Sequence, residues 1–405
     1  MPQLVESCGM FFYAPFSPFR FLFSDFLEKN MPFYFVLSPI CAIFAVSINI
    51  RSFLRYQKYT QMRVLIVNTS EKTGGAAVAA NRLMDALNNN GVKAKMLVRD
   101  KETEDITVVS LPRSLRLQWN FLWERWCVFW HLHFSRQRLW EVDMATSGTD
   151  ITRLREFQEA DVIHLSWINQ GMLSLKNIRK IIRSGKPVVW TMHDLWPATG
   201  ICHYARGCNR YASACGNCPL LPNKGSKNDL SAKIFRRKKE LYHRGAISFV
   251  TCSRWLEKQA KGSGLFVGQR ITNIPNPIDT HVFCPQDQAE ARLRAGLPAD
   301  KHIILFVSQR VTDERKGMRY FIEAIDRLVA RYPGMKENTA IAILGGHSEE
   351  VNLTLPSYSL GYVSDEKQIV AIYNSADAFV LPSLEDTLPN TIMESMACGV
   401  PSIGL

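Results

Sequence analysis

Short apolar runs recur along the chain from residue 62 onward, and segments with helical periodicity lie between them. Apolar runs of this kind, bounded by turn residues, predict buried parallel strands. Helical segments such as 174–184 and 320–332 alternate with the runs, which predicts right-handed βαβ units and open α/β sheets. The predicted strands lie at 63–68, 92–98, 161–166, 187–192, 248–251, 303–307, 340–346 and 378–381.

The last of these runs leads into an acidic loop and a short helix. Pro389 suits a first helical turn, and Gly399 with Pro401 ends the helix. Asp386 then lies at the carboxyl end of a strand, with Glu394 on the helix that follows, and this is where open α/β sheets bind ligands. Two carboxylates at this position could hold sugar or ribose hydroxyls. Solvated charges near a helix start are the alternative.

The stretch 385–401 resembles the acidic motif of retaining glycosyltransferases of family 4, which have the GT-B fold. In that motif two Glu bracket seven residues, and Asp386 and Glu394 stand at the two positions. The resemblance implies that Glu394 binds the ribose of a nucleotide sugar and that Asp386 lies against the transferred sugar. Because Asp is shorter than Glu, neighbouring Glu385 is the alternative for that second contact.

Two loops in the first half match the same resemblance. Gly74 and Gly75 follow the first strand and open an alanine-rich helix, whose amino terminus attracts anions. The resemblance implies that this glycine pair packs against the donor diphosphate and the acceptor. The loop 191–200 resembles the family's loop in which a His reaches the donor sugar, so His193 is the candidate here.

A basic loop, 308–317, follows the first strand of the second half. The resemblance implies that Lys316 and an Arg, either Arg310 or Arg315, neutralise the donor diphosphate. This makes physical sense because the leaving group gains negative charge at the transition state. No Asp-x-Asp metal motif is apparent for donor binding, so we expect catalysis to require no cofactor. A solvated basic loop is the alternative.

Four cysteines lie close together in the first half, at Cys202, Cys208, Cys215 and Cys218. The Cys-x2-Cys spacing of the last two is compatible with a structural zinc site in a cytosolic protein. Cys202 and His203 compete as the fourth ligand. Free thiols and a redox or iron–sulfur role are the alternatives. Bound zinc would hold the loop in place and take no part in the chemistry.

The composition indicates a globular, basic protein, with 46% hydrophobic residues and a net charge of +12, so an anionic partner is expected. Ten cysteines show no small-domain disulfide framework, which favours a cytosolic setting. Aromatic and basic residues alternate in the segment 113–140, as in helices that lie in a membrane interface. A core helix with a charged face and a surface for single-stranded nucleic acid are the alternatives.

These observations predict three parts. Residues 1–61 form an extension that is either translated sequence upstream of the true start or a membrane anchor, because 32–50 is uncharged and Arg51, Arg55 and Lys58 follow it. Residues 62–280 form a Rossmann-like acceptor domain with the cysteine-rich loop 202–218. Residues 281–405 form the nucleotide-sugar domain, which the resemblance implies is truncated.

The resemblance implies a retaining glycosyltransferase that moves a hexose from a nucleotide diphosphate sugar to a glycan or lipid-linked acceptor in cell-surface polysaccharide or lipopolysaccharide synthesis. We expect it at the inner face of the cytoplasmic membrane, with no nucleic-acid partner. A non-catalytic sugar-nucleotide-binding fragment is one alternative. A nucleic-acid-binding protein is the other, but it leaves the carboxylate motif unexplained.

Overall fold

The computed structural model of the chain describes residues 61–112 and 114–404. The predicted N-terminal extension therefore lies outside the described residues, except for its last residue. Within the described ranges no helix is both long and apolar enough to cross a membrane. The structure consists of two α/β domains, each built on a wholly parallel sheet, so the predicted fold class is confirmed.

The first domain has a seven-stranded sheet with the order β3-β2-β1-β4-β5-β6-β7. Its central strands are buried on both faces, which explains their continuous apolar sequences. The strands are β1 Arg63–Val67, β2 Lys93–Val98, β3 Val108–Ser110, β4 Val162–Leu165, β5 Val188–Met192, β6 Ile247–Thr251 and β7 Arg270–Asn273.

Helices cover both faces of this sheet, and two large apolar clusters fill the space between helices and strands. One cluster centres on Trp190 in β5, which packs against Trp196, Tyr242 and Phe249. The helices are α1 Gly75–Asn89, α2 Leu115–His131, α3 Arg155–Glu159, α4 Leu175–Arg183, α5 Leu230–His243 and α6 Arg254–Lys261.

The second domain has a five-stranded sheet with the order β10-β9-β8-β11-β12. The chain enters this domain through the proline-containing segment 274–287, and α7 then packs against α10. The strands are β8 His302–Arg310, β9 Thr339–Gly346, β10 Ser357–Gly361, β11 Ala378–Leu381 and β12 Ser402–Gly404. The helices are α7 Gln288–Ala295, α8 Met318–Arg331, α9 Met335–Asn338, α10 Glu366–Asn374 and α11 Asn390–Ala397.

Helix α2 is oriented contrary to the core-helix alternative of the sequence analysis, which would bury the aromatic side of the segment. Its buried positions include the polar residues Asn120, Glu124 and Arg125, whereas its tryptophans face outward. The Glu124 carboxylate accepts hydrogen bonds from the backbone N–H groups of Met144 and Ala145 at 2.8 and 2.7 Å. A polar buried face is possible because each of these groups finds a partner in the loop that follows the helix.

Candidate active site

A cleft of about 510 Å³ lies between the two domains, at the carboxyl ends of their strands. Loops that follow β1, β5, β8 and β11 line it, and this is the location that parallel sheets favour for ligand binding. Six of the residues that were selected from the sequence line this cleft together: Gly74, Gly75, His193, Arg315, Lys316 and Asp386.

The glycine loop forms one wall of the cleft. Gly74 caps the amino terminus of α1 with a φ of 93°, a conformation that side chains with a Cβ rarely adopt. The Asn390 side-chain amide donates to the Gly75 carbonyl oxygen at 2.9 Å, so the second domain contacts this loop directly. The positive end of the α1 dipole therefore faces the cleft.

The opposite wall carries the two cations of the basic loop. The Lys316 ammonium group donates to an Asp386 carboxylate oxygen at 2.6 Å. The Arg315 guanidinium lies 4.2 Å from the centre of the Tyr204 ring and pairs with Asp313. Both cations therefore lie where a diphosphate could bind.

Arg310, the other arginine considered for this role, is exposed and does not line the cleft. It is the last residue of β8, and the chain turns away there before it reaches Arg315. Of the two alternatives, Arg315 is thus the one that lines the cleft, and its role toward a diphosphate stays a prediction.

Glu394 lies behind the cleft wall and does not line the cleft. One of its carboxylate oxygens accepts from Arg82 of α1 at 2.7 Å, and the other accepts from the Tyr373 hydroxyl at 2.8 Å. Glu394 is only 8% exposed. The ion pair with Arg82 crosses between the two domains, so a ribose could reach Glu394 only if this contact opens or is shared.

Two further contacts of the acidic loop also cross between the domains. The Glu385 carboxylate accepts hydrogen bonds from the backbone N–H groups of Ala205 and Arg206 at 3.0 and 3.2 Å. The Thr387 hydroxyl donates to the backbone carbonyl of His193 at 2.7 Å. Glu385 is therefore engaged in an interdomain contact and, unlike Asp386, does not line the cleft.

His193 is held at the end of β5, with its Nε2 atom 3.0 Å from the Ser166 hydroxyl. Burial lowers the pKa of His193 to about 4, so the imidazole is neutral at pH 7. A neutral imidazole can accept or donate one hydrogen bond to a sugar hydroxyl without placing a positive charge near the sugar.

A buried charge network supports this loop, and the sequence analysis did not find it. His203 lies between two carboxylates, with Nδ1 2.7 Å from Asp194 and Nε2 2.9 Å from Asp143. Burial alone would lower the pKa of His203, but the two carboxylates raise it to about 9. Both ring nitrogens are occupied, so His203 is not free to act as a fourth ligand in the cysteine cluster.

The position of Asp194 directly after His193 was a sequence signal for this network. Asp194 also accepts a hydrogen bond from the Trp167 indole at 2.8 Å. Asp143 gave no such signal, because only the tertiary fold brings it to His203, and it also pairs with Arg125 of α2. The network thus links the cleft loop to the aromatic helix.

The four cysteines line one small cavity beside this loop. Burial raises the pKa of Cys202 to about 12 and that of Cys215 to about 11, as expected for neutral thiols. No three of these side chains bring their sulfurs within 4.8 Å of one another. Among the described residues only His347, Glu349 and Glu350, all exposed, form such a close group. A structural zinc therefore stays a prediction.

A second pocket, of about 370 Å³, adjoins the main cleft and shares Trp167, Asp194, Tyr204 and Arg315 with it. Its outer wall carries Trp140, which is 57% exposed. An indole next to a cationic and carboxylate-lined pocket suits a carbohydrate, because sugar faces pack on aromatic rings while their hydroxyls form hydrogen bonds.

Two family models match the chain. Residues 73–282 match the family described as Glycosyltransferase Family 4, and residues 301–405 match the one described as Glycosyl transferases group 1. The first match covers the glycine loop and the His193 loop, and the second covers the basic and acidic loops. Residues from both matched ranges thus line the cleft.

Among curated proteins, the chain is similar to a putative colanic acid biosynthesis glycosyl transferase, WcaC, of Escherichia coli, with 24% identity over 60% of this chain and 58% of that protein. It is also similar to D-inositol 3-phosphate glycosyltransferase of Acidothermus cellulolyticus, with 30% identity over 33% of this chain and 32% of that protein. The aligned part thus spans less than two thirds of either relative.

Among solved structures, the chain is similar to sucrose-phosphate synthase of Thermosynechococcus elongatus, with a TM-score of 0.53 and 16% identity over 85% of this chain and 81% of that chain. It is also similar to Anabaena HepE in complex with UDP-glucose, with a TM-score of 0.51 and 14% identity over 85% of this chain and 80% of that chain. These similarities show a common fold, and the GT-B prediction is confirmed.

Proposed function

Because this chain belongs to Glycosyltransferase Family 4, we propose that it transfers a hexose from a nucleotide diphosphate sugar to a hydroxyl group of an acceptor. The observation that carries the proposal is the interdomain cleft, where a helix amino terminus, two cations, a neutral imidazole and a carboxylate converge. Each group suits one part of such a donor. UDP-glucose, bound to HepE in the structure named above, is a donor of this chemical class.

In this proposal, Lys316 and Arg315 balance the charge that develops on the diphosphate as the bond to the sugar breaks. The backbone around Gly74 and Gly75 leaves room for the diphosphate against the start of α1. Asp386 and His193 hold the sugar hydroxyls. Glu394 would hold the ribose after Arg82 moves away, and closure of the domains would exclude water from the reactive sugar.

We further propose that the anomeric configuration is retained and that no side chain forms a covalent intermediate, as the family resemblance implies. The acceptor would enter the adjoining pocket beside Trp140. Trp140 stacks on Phe121 of α2, so the exposed aromatic helix leads to this pocket. This continuity favours a lipid-linked glycan acceptor at the inner face of the cytoplasmic membrane. The named role of WcaC favours cell-surface polysaccharide synthesis.

The experiment that tests the proposal is a binding and hydrolysis screen of the full chain with UDP-, GDP- and ADP-sugars. We expect one donor to bind and to be hydrolysed slowly with retention, which NMR of the released sugar detects. Lys316→Met should lower kcat/KM by roughly 10²-fold, the usual effect of removing one transition-state charge contact.

Lys336→Met, an exposed lysine on α9 of the same domain, is the matched control and should leave the rate unchanged. If the chain is folded by circular dichroism but binds no donor of the three classes, the transferase proposal is wrong. If Lys316→Met and Lys336→Met lose kcat/KM equally, the loss does not come from removing a cation of the cleft.

A further inference from the structure

A pocket of about 580 Å³ lies beside α2, outside the donor cleft, and no step of the proposed reaction uses it. Four cations line it, with one carboxylate, Asp150, which is paired with Lys180. We refer to it as the basic pocket, and its cations are Arg116, Arg153, Lys176 and Lys180. The first three have no carboxylate partner within 4 Å in the part of the chain that the structure describes.

The exposed side of α2 borders this pocket and carries four tryptophans, Trp119, Trp123, Trp126 and Trp130. We refer to them as the aromatic face. Their spacing of four, three and four residues places them along one side of the helix, and each is between 44% and 62% exposed. Trp123 belongs to both features, because it lines the basic pocket and stacks on Trp119 at 6.3 Å.

The opposite side of α2 is polar and buried. Glu124 is fully buried and bonded to the loop at 144–147, and Arg125 pairs with Asp143. The fold therefore uses the polar side for internal contacts and leaves the large apolar side chains outside. Exposed indoles in a row need an apolar or interfacial surrounding, and indole combines an apolar body with a polar N–H that suits the headgroup region of a bilayer.

We propose that the basic pocket binds the phosphate headgroup of an anionic phospholipid while the aromatic face lies in the membrane interface. Charge complementarity supports this occupant, because four cations against one carboxylate leave an excess of positive charge beside the indoles. The cationic pocket would lie among the lipid headgroups, and the aromatic face beside it would lie at the boundary between headgroups and acyl chains. This inference deepens the proposed membrane association and is independent of the glycosyl transfer reaction.

The test is sedimentation of the full chain with vesicles of phosphatidylcholine alone and with an equimolar mixture of phosphatidylcholine and phosphatidylglycerol. We expect stronger binding to the anionic vesicles. Arg116→Gln with Lys176→Gln should weaken that binding by about 20- to 30-fold, since each cation near an anionic surface contributes roughly fivefold. Binding to phosphatidylcholine alone should change little in this variant.

The aromatic face is tested by Trp123→Gln with Trp126→Gln, which should weaken binding to both kinds of vesicle by on the order of tenfold. Brominated lipids should quench the tryptophan fluorescence of the parent more than that of this variant. The matched controls are Arg327→Gln with Lys336→Gln on the second domain and Trp255→Gln on α6, all exposed positions. Both controls should bind as the parent does.

The inference is wrong if the pocket and face variants bind vesicles as well as the parent, because the contact then lies elsewhere on the chain. It is also wrong if light scattering shows a dimer that the face variant abolishes, since a second copy would then cover the indoles. Binding of oligonucleotides in preference to anionic vesicles would overturn it as well. Donor hydrolysis without vesicles is measured in parallel, so failure of either proposal is seen separately.

Discussion

At the scale of single residues, the site depends on groups whose ionisation the protein fixes by burial. His164 is buried and His193 partly so, and burial lowers the pKa values of His193 and His164 to about 4 and about 3, so both imidazoles are neutral at pH 7. His203, only a few ångströms from the cleft loop, is held in the opposite state by two carboxylates. Neighbouring imidazoles of one loop thus carry different charges because their partners differ.

The raised pKa of His203 predicts a dependence of stability on pH. The folded value of about 9 lies above the ordinary value of 6.5, so protonated His203 stabilises the fold fully below pH 6.5 and progressively less as pH rises through 9. The shift corresponds to about 3 kcal/mol. We therefore expect the free energy of unfolding of the parent, relative to that of His203→Gln, to fall by about 3 kcal/mol between pH 6 and pH 10.

Urea unfolding at several pH values between 6 and 10 measures this difference. Burial lowers the pKa of Lys238 to about 7, which acts in the opposite direction, but Lys238 is present in both proteins and cancels. His243→Gln, an exposed histidine at the end of α5, should follow the parent. Parallel profiles for the parent and His203→Gln would contradict the assignment.

Some residues of the cleft and its surroundings could be predicted from the sequence, and others could not. Asp386 was predictable because it follows an apolar run at the carboxyl end of a strand, whereas the family resemblance of their loops pointed to Lys316 and His193. The interdomain partner of Glu394 was not, because Arg82 is 312 positions away and nothing in the local sequence marks the pair. Arg315 could be separated from Arg310 only when the path of the loop was known.

At the scale of secondary-structure elements, strands buried on both faces were predicted and edge strands were missed. β4, β5 and β9 are nearly fully buried and therefore have continuous apolar sequences. β7 and β12 are half exposed and have no such run. The orientation of α2 could not be read from its sequence, because the polar groups that it buries find their partners only when the following loop, 139–149, folds back onto the helix.

The inverted orientation of α2 predicts an unusual mutational pattern. Glu124→Leu removes the acceptor of the buried N–H groups of Met144, Ala145 and Thr146, so we expect a loss of about 4 kcal/mol in the free energy of unfolding. Trp119→Leu should cost less than about 1 kcal/mol, because this side chain is 62% exposed. Urea unfolding measures both, and similar costs would show that the helix is turned the other way.

The turn between β8 and α8 predicts a second effect at this scale. Gly317 has a φ of 75°, and a Cβ at this position would lie 1.9 Å from the Pro382 carbonyl oxygen. Gly317→Ala must therefore displace either the basic loop or the end of β11, which separates Lys316 from Asp386. We expect at least a tenfold loss in kcat/KM with the donor, together with a loss of about 2 to 3 kcal/mol in stability.

Gly268→Ala provides the control for this substitution. Gly268 has almost the same φ, 77°, but a Cβ there meets no atom within 4 Å. Its replacement should cost about 1 kcal/mol from backbone strain alone and leave kcat/KM unchanged. If the two variants lose activity equally, close packing of the basic loop against Pro382 is not what positions Lys316.

At the scale of the whole molecule, the two domains meet through the acidic loop and α11 of the second domain. Glu385, Thr387, Asn390 and Glu394 all contact the first domain by side-chain hydrogen bonds. Asp386 points instead into the cleft, toward Lys316. The same short segment thus holds the domains together and supplies a site carboxylate, so donor binding and the domain arrangement should be coupled.

The ion pair between Arg82 and Glu394 predicts the sign of this coupling. If Glu394 binds the ribose, Arg82 competes with the donor for the carboxylate, and breaking the contact costs part of the binding free energy. Arg82→Gln should then bind the donor about fivefold more tightly, which corresponds to about 1 kcal/mol. Glu394→Gln should lose most of the affinity whether or not Arg82 is present, and isothermal titration calorimetry measures all four combinations.

Arg319→Gln is the matched control, because Arg319 forms an exposed ion pair with Glu323 within α8 that does not cross between domains. It should bind the donor as the parent does. Weaker binding by Arg82→Gln would show that the arginine orients Glu394 for the ribose, and the contact would then belong to the binding-competent arrangement. Tighter binding means that the interdomain ion pair must open before the nucleotide is held, so that each catalytic cycle includes separation and closure of the domains.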